Sequence, residues 1–187
     1  MFIQTEETPN PASLKFIPDG QTVLPHSTAE FKNQKSAATQ SPLALQLFEI
    51  AGVDSIFLGH DFVTVTKTDK VEWFKIKADI LATIMDFFVS GKPVMFDMAA
   101  KENVTNDEDS DIVKQIKELI EVKVRPAVAM DGGDIIFHSF EDGIVRLQLK
   151  GSCSGCPSST ITLKNGIENM LKHYIPEVEA VEQIDAD

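Results

Sequence analysis

The stretch Ile144-Val145-Arg146-Leu147-Gln148-Leu149-Lys150-Gly151-Ser152-Cys153-Ser154-Gly155-Cys156-Pro157 passes from an alternating apolar pattern into a loop of glycines, serines and cysteines. Val145, Leu147 and Leu149 recur at a period of two, so they share one face of a strand. Pro157 stands where the first residue of a helix would be, the position that tolerates a missing N–H. The helix is expected from about Ser158, with Leu163, Ile167, Met170, Leu171 and Tyr174 inward. Pro176 ends it, and Val178 to Ile184 reads as a last strand. Upstream, Glu141-Asp142-Gly143 turns the chain back to a strand over Ile135 to Phe140. Met130-Asp131-Gly132-Gly133-Asp134 is a tight turn into that strand. Before it lies a helix capped near Ser110, with the apolar stripe Ile112, Val113, Ile116, Leu119 and Ile120. Pro126 bends or restarts that helix. The order α-β-β-α-β describes a small sheet with helices packed on it, an α+β domain.

The first half of the chain reads as a separate α+β unit. Phe2 to Glu6 and Ser13 to Ile17 are strands around Thr8-Pro9-Asn10-Pro11, where two prolines fix φ and remove donors. Pro18-Asp19-Gly20 is a further turn, and the polar run Ser27 to Ser41 carries no periodic signal. Ser41-Pro42 opens a helix with Ala44, Leu47, Phe48 and Ala51 on one face, and Gly52 can end it. Asp54 to Leu58 and Phe62 to Lys67 form a hairpin across Gly59-His60-Asp61. A long helix follows, with Trp73, Ile76, Ile80, Ile84, Phe87 and Phe88 at helical spacing, until Gly91-Lys92-Pro93. The two halves show no internal repeat.

Between them, residues 99–110 (A-A-K-E-N-V-T-N-D-E-D-S) are polar and acidic, with Val104 as the lone large apolar residue. Such a run buries too little surface to offset its ordering entropy. It reads as a flexible acidic linker joining domains at 1–98 and 111–187. Net charge is −4 before it, −3 within it and −5 after it, for −12 over 187 residues. A sequence-independent nucleic-acid binder needs clustered Lys and Arg, so neither half fits that role. Attachment to an anionic membrane surface fails on the same ground. The longest apolar runs are far short of the ~20 residues needed to cross a bilayer. The N-terminal Met1-Phe2-Ile3-Gln4-Thr5-Glu6-Glu7 has neither a signal-peptide nor a transit-peptide character. The expectation is a soluble protein of a reducing compartment, most simply a bacterial cytoplasm. A mitochondrial matrix protein in its processed form would look the same.

Cys153 and Cys156 are the only two cysteines of the chain. A disulfide-stapled framework is therefore excluded, and one chain cannot supply a four-thiolate metal site. A helix N-terminus offers unpaired N–H groups and partial positive charge, which lower a thiol pKa. Three chemistries suit a C-x-x-C there. Dithiol redox chemistry is one, although the motif follows an apparent hairpin rather than the first strand of a βαβ unit. Zinc is another, with His138 and His173 as candidates to complete four ligands, at a spacing that matches no recognised zinc pattern. Iron–sulfur ligation is the third. Clusters prefer four thiolates, so two chains would each donate a pair across a two-fold axis. Two incidental thiols in a strand-to-helix loop is the bland alternative. No general acid, base or nucleophile constellation is present, so the chain does not read as an enzyme.

The wider context narrows the choice. Arg125-Pro126, Asp131-Gly132-Gly133-Asp134 and Gly151-Ser152-Cys153-Ser154-Gly155-Cys156-Pro157, in this order, resemble the C-terminal domain of NifU, the Nfu domain. Thr5 to Pro11, Leu14-Lys15-Phe16, Ser41-Pro42-Leu43-Ala44, Gly52-Val53 and Asp61 to Lys67 resemble the Nfu N-terminal domain. The resemblance implies an iron–sulfur cluster scaffold or carrier. Cys153 and Cys156 of each of two subunits would then hold a [4Fe–4S] cluster, with [2Fe–2S] as the alternative cargo. It further implies apo iron–sulfur client proteins and upstream assembly factors as partners, which the N-terminal domain would recognise. A homodimer would form on cluster binding, and the apo form could be monomeric. For Asp131 to Asp134 the turn itself is the first explanation of the glycines, with support of the cluster loop second.

Overall fold

The computed structural model describes residues 1–25, 27–96, 110–154 and 157–184, with side chains at all of these except 154 and 157–160. The chain divides into two compact units, Met1–Lys101 and Glu102–Asp187. Of the linker expected over residues 99–110, only Ser110 lies among the described residues.

The first unit is an antiparallel sheet covered on one face by helices. Its strands are β1 (Ile3–Glu7), β2 (Ser13–Pro18), β3 (Ala29–Phe31), β4 (Val53–Leu58) and β5 (Val63–Lys67), in the order β1-β2-β5-β4-β3. Its helices are α1 (Gln34–Gln40), α2 (Pro42–Phe48) and α3 (Trp73–Val89). The expected β1–β2 turn is held by Asn10, whose Oδ1 accepts from the Ala12 amide at 3.0 Å and whose carbonyl accepts from Ser13 at 2.9 Å. Trp73 anchors the start of α3 to this turn through an indole N–H to the Pro11 carbonyl at 3.0 Å. Ser41 ends α1 and begins α2: its amide donates to Ala37 at 2.9 Å, and its hydroxyl accepts from Ala44 at 3.2 Å. The core is built from Phe16, Phe31, Leu43, Leu47, Ile56, Leu58, Val63, Val65, Ile80, Ile84 and Phe87. The unassigned run Ser27 to Ser41 contains β3 and α1. Each is short, and α1 buries only Ala37, so neither produces an apolar period.

The second unit follows the expected α-β-β-α-β order. Helix α4 (Asp111–Leu119) is capped by the Ser110 hydroxyl, which accepts from the Val113 amide at 3.3 Å. A π-helical turn over Ile120–Val124 leads into α5 (Arg125–Met130). Pro126 lacks the N–H that a continuous α-helix would use, and the wide turn ahead of it absorbs that loss. Strand β6 (Gly133–Glu141) pairs antiparallel with β7 (Ile144–Gly151). The connecting turn uses Asp142 at φ 50° and Gly143 at φ 77°, the two positive φ values of a tight hairpin turn. A 3-10 turn over Ser152–Ser154 precedes α6 (Pro157–Tyr174), and β8 (Ala180–Gln183) returns parallel to β7. The sheet order is therefore β6-β7-β8, with α6 as the crossover helix. Ile116, Ile120, Val128, Ile135, Val145, Leu147, Leu171, Ile175 and Val181 form the core.

Two expectations change here. Tyr174 was expected inward but is 50% exposed. Its hydroxyl accepts from Lys123 Nζ at 3.2 Å, and the fully buried Ile175, one residue on, takes the core position as the helix ends. The last strand is also shorter than Val178 to Ile184, because Val178 belongs to a turn and packs in the core.

Both edges of this small sheet are covered by side chains. On β6, Arg125 Nη2 donates to the Ile135 carbonyl at 3.2 Å, and Asp134 Oδ1 accepts from the Ile135 amide at 2.7 Å. On β8, Glu168 Oε2 accepts from the Val181 amide at 3.0 Å, while its Oε1 accepts from Lys172 Nζ at 2.7 Å. Such covers keep strand edges from pairing with other chains. The Lys172 ammonium, then the Val181 amide, hold the Glu168 carboxylate below its ordinary range. A carboxyl whose pKa is depressed on folding stabilises above its unfolded value and loses that contribution as pH falls. Glu168→Gln, which keeps an acceptor but not the charge, is therefore expected to cost about 1 kcal/mol at pH 7. The deficit should begin to shrink as pH falls below about 4.3 and be gone once pH has passed the lower folded value, read as urea unfolding of both proteins across pH.

Candidate metal centre

Cys153 sits in the 3-10 turn between the end of β7 and the start of α6, 6% exposed and part of the core. Cys156 lies outside the described residues. The seat of Cys153 is made by residues about 20 positions upstream. Gly133 pairs with Gly151 across the β6–β7 ladder. A Cβ on Gly133 would lie 2.5 Å from the Lys150 carbonyl oxygen and 3.0 Å from the Cys153 sulfur. Only a glycine leaves room for both.

The two glycines of Asp131 to Asp134 therefore serve different needs. Gly132 adopts φ 80°, the left-handed conformation that the turn requires. Gly133 answers to close approach, forming the floor under the sulfur. The turn is fastened from both sides. From the cysteine side, the Ser152 hydroxyl donates to the Asp131 carbonyl and the Ser152 amide to the Gly132 carbonyl at 3.3 Å. From the helix side, Arg125 Nε donates to Asp134 Oδ1 at 3.0 Å, and its Nη1 to Glu121 Oε2 at 2.5 Å. Asp134 is 5% exposed, so its carboxylate depends on these partners. The three stretches quoted from the sequence thus converge on one sulfur. Sequence reasoning missed the Arg125–Asp134 pair, the Ser152 fastening and the second role of Gly133. The only signal for them was their presence in quoted motifs, because spacing along the chain does not state which residues meet.

The electrostatics of Cys153 also differ from expectation. A helix start should lower a thiol pKa, yet Cys153 is pushed up to about 11. Burial is the main cause, the Ser152 hydroxyl opposes it, and the Asp131 and Asp134 charges add to it. Cys153 stands a full 3-10 turn ahead of α6, so burial acts on it more strongly than the helix dipole, which fades beyond the first turn. At neutral pH it is a protected thiol, and a metal ion that binds its sulfur displaces the proton to solvent.

This bears on the three chemistries. Cys153 does follow the β6–β7 hairpin, and it also stands after the first strand of a β7-α6-β8 crossover. Topology alone therefore does not separate redox chemistry from the rest. Cys153 itself does not have the character of an attacking redox cysteine, which is exposed and of low pKa. For zinc, His138 bonds to Gln148 Oε1 at 3.3 Å on the β6 bulge, some five strand positions from Gly133. His173 is exposed against Tyr174, 16 residues along α6 from Pro157, about 24 Å at helical rise. Neither is brought to Cys153. Among the described residues, no group of three or more His, Cys, Asp or Glu side chains could hold a metal ion. Likewise, no described helix is long and apolar enough to cross a membrane.

Comparison with known proteins gives a consistent picture. Residues 3–91 match the family described as scaffold protein Nfu/NifU N terminal, and residues 116–182 match the NifU-like domain. A human protein, "NFU1 iron-sulfur cluster scaffold homolog, mitochondrial", is 56% identical over 185 residues, covering 98% of this chain and 72% of its own length. The Drosophila persimilis protein of the same name is 50% identical over 192 residues, covering 100% of this chain and 67% of its own. "NifU-like protein 5, mitochondrial" of Arabidopsis thaliana is 53% identical over 188 residues, covering 98% and 68%.

Proposed function

This chain belongs to the Nfu/NifU family of iron–sulfur cluster scaffold proteins, and from that premise we propose that it carries a [4Fe–4S] cluster between two copies of itself and delivers it to apo-proteins. The ligands are Cys153 and Cys156 of each copy. The observation that carries this reading is the seat of Cys153. A thiol is held beside Gly133 by three separate stretches of chain, in a protein with two cysteines in all. A cluster that prefers four thiolates needs two such chains. Loading releases the thiol protons, since the ligands are thiolates. Delivery is ligand exchange: a client thiolate bonds to iron as a scaffold thiolate leaves, with no change in electron count. Separation of the two copies opens the site, which suits a carrier that must both protect and release.

The N-terminal domain, taken as residues 1–98, is assigned to recognition of clients or upstream assembly factors, and residues 99–110 to joining it to the cluster domain at 111–187. The relatives act as scaffolds by name, in line with a chain that performs no catalysis of its own. They are also named as mitochondrial, which favours the mitochondrial matrix over the bacterial cytoplasm.

Anaerobic reconstitution with iron and sulfide tests the proposal. The expected product is brown, absorbs broadly near ~400 nm and holds roughly four iron atoms per dimer, the content of one [4Fe–4S] cluster on four thiolates. Two iron per dimer would make the cargo [2Fe–2S]. A colourless monomer without bound iron would refute the carrier reading. A protein that instead turns over disulfides would return the motif to redox chemistry.

A further inference from the structure

The geometry points to Ser152 as a positioning residue for the ligand Cys153, an inference that rests on the cluster-carrying reading above. Ser152 is 1% exposed, and its amide and its hydroxyl are both engaged at the cysteine seat. Its amide donates to the Gly132 carbonyl at 3.3 Å and its hydroxyl donates to the Asp131 carbonyl. The same oxygen lies 3.9 Å from the Cys153 sulfur, within reach of a weak hydrogen bond. The two carbonyls belong to the turn whose next residue, Gly133, is the floor under that sulfur.

The need for a fastening follows from the residue before it. Gly151 sits at φ 70°, a conformation open mainly to glycine, where the chain leaves the β7 ladder. A glycine at the exit leaves the direction of the loop weakly determined by its own backbone. Ser152 supplies the missing constraint by tying the loop to the Asp131–Gly133 turn, and the sulfur of the next residue follows. Groups that orient a metal ligand from behind are worth about 10- to 100-fold in metal retention. Removing the hydroxyl leaves the amide bond to Gly132 and frees the sulfur to swing from its seat. Ser152 would then set how firmly the cluster is held before handover.

The test uses the full chain as wild type, Ser152→Ala, Ser152→Thr and Val181→Ala. Val181 is a core residue paired with Val145, six strand positions from Gly151, about 20 Å along β7, so it reports loss of stability away from the seat. Each protein is loaded anaerobically and the ~400 nm absorbance is followed after adding excess 2,2′-bipyridine. Ser152→Ala is expected to bleach about tenfold faster than wild type. Ser152→Thr, which keeps the hydroxyl, and Val181→Ala should stay near the wild-type rate. A second reading needs no cluster. In a Cys156→Ser background, iodoacetamide labelling of apo Cys153 should accelerate several-fold with Ser152→Ala, because the exposure gained by a sulfur released from its buried seat outweighs the loss of the hydroxyl beside it. Unchanged bleaching and labelling in Ser152→Ala, or equal acceleration in Val181→Ala, would overturn the inference. A wild-type chain that takes up no cluster would refute the carrier reading instead, and the labelling comparison would still decide the role of Ser152.

Discussion

Cys153→Ser protein, reconstituted anaerobically beside wild type, is expected to emerge colourless and to stay monomeric. The loss should be near complete rather than partial, for three reasons. Each chain brings two cysteines, so one substitution per chain removes two of four ligands from a shared site. A serine hydroxyl is far harder to deprotonate than a thiol and is a poor match for iron in a sulfide-bridged cluster. The chain's other cysteine, Cys156, is itself a ligand in the proposed site, so no spare thiol is left to take the vacated place. Stability should change much less, by about 1 kcal/mol, because serine is smaller than cysteine and lies beside polar partners. Iron content per dimer and the cooperativity of unfolding are the two measurements. Wild-type iron content in the serine variant would remove Cys153 from the ligand set.

Gly133→Ala is the second large effect. The added methyl would lie 2.5 Å from the Lys150 carbonyl oxygen, closer than real Cβ contacts come. That oxygen belongs to the β6–β7 ladder, where Asp134 pairs with Lys150, so it cannot rotate away as a side-chain tip could. The strands must part or the cysteine turn must move, and overpacking of this kind costs about 2–3 kcal/mol. Cluster loading should fall with it, since the same methyl meets the Cys153 sulfur at 3.0 Å. Gly166→Ala is the paired control. It lies in α6 with nothing within 4 Å of an added Cβ, and should stabilise by about 0.5–1 kcal/mol through helix propensity. Urea unfolding resolves the comparison because the chain has one tryptophan and one tyrosine. Trp73 reports the first unit and Tyr174 the second, so a shift confined to the Tyr174 signal locates the damage. A Gly133→Ala protein with wild-type stability and iron content would show that the close approach is relieved at no cost.

Much of the fold was legible because its signals are local. The alternation of Val145, Leu147 and Leu149, the helical stripe of α3 and the Ser41-Pro42 cap each need only a few consecutive residues. The run from Ser27 to Ser41 was not legible, because a three-residue edge strand and a helix burying one alanine leave no period to read. Tyr174 misled for a related reason. It continues the stripe of α6, but the helix stops there and Ile175 takes the buried position instead.

The candidate site divides in the same way. From the sequence alone came the two cysteines, their place between a strand and a helix, and the consequence that one chain cannot supply a four-thiolate site by itself. Those statements depend on residue identity and counting, which need no coordinates. Only the tertiary structure decided that Cys153 is buried, that Gly133 forms its floor, and that Arg125 and Ser152 fasten the turn between them. These depend on the register that sets Gly133 opposite Gly151 across 18 residues of chain. Strand register is a property of two segments packed together, and burial reverses the helix-start effect on thiol acidity once the sulfur leaves water.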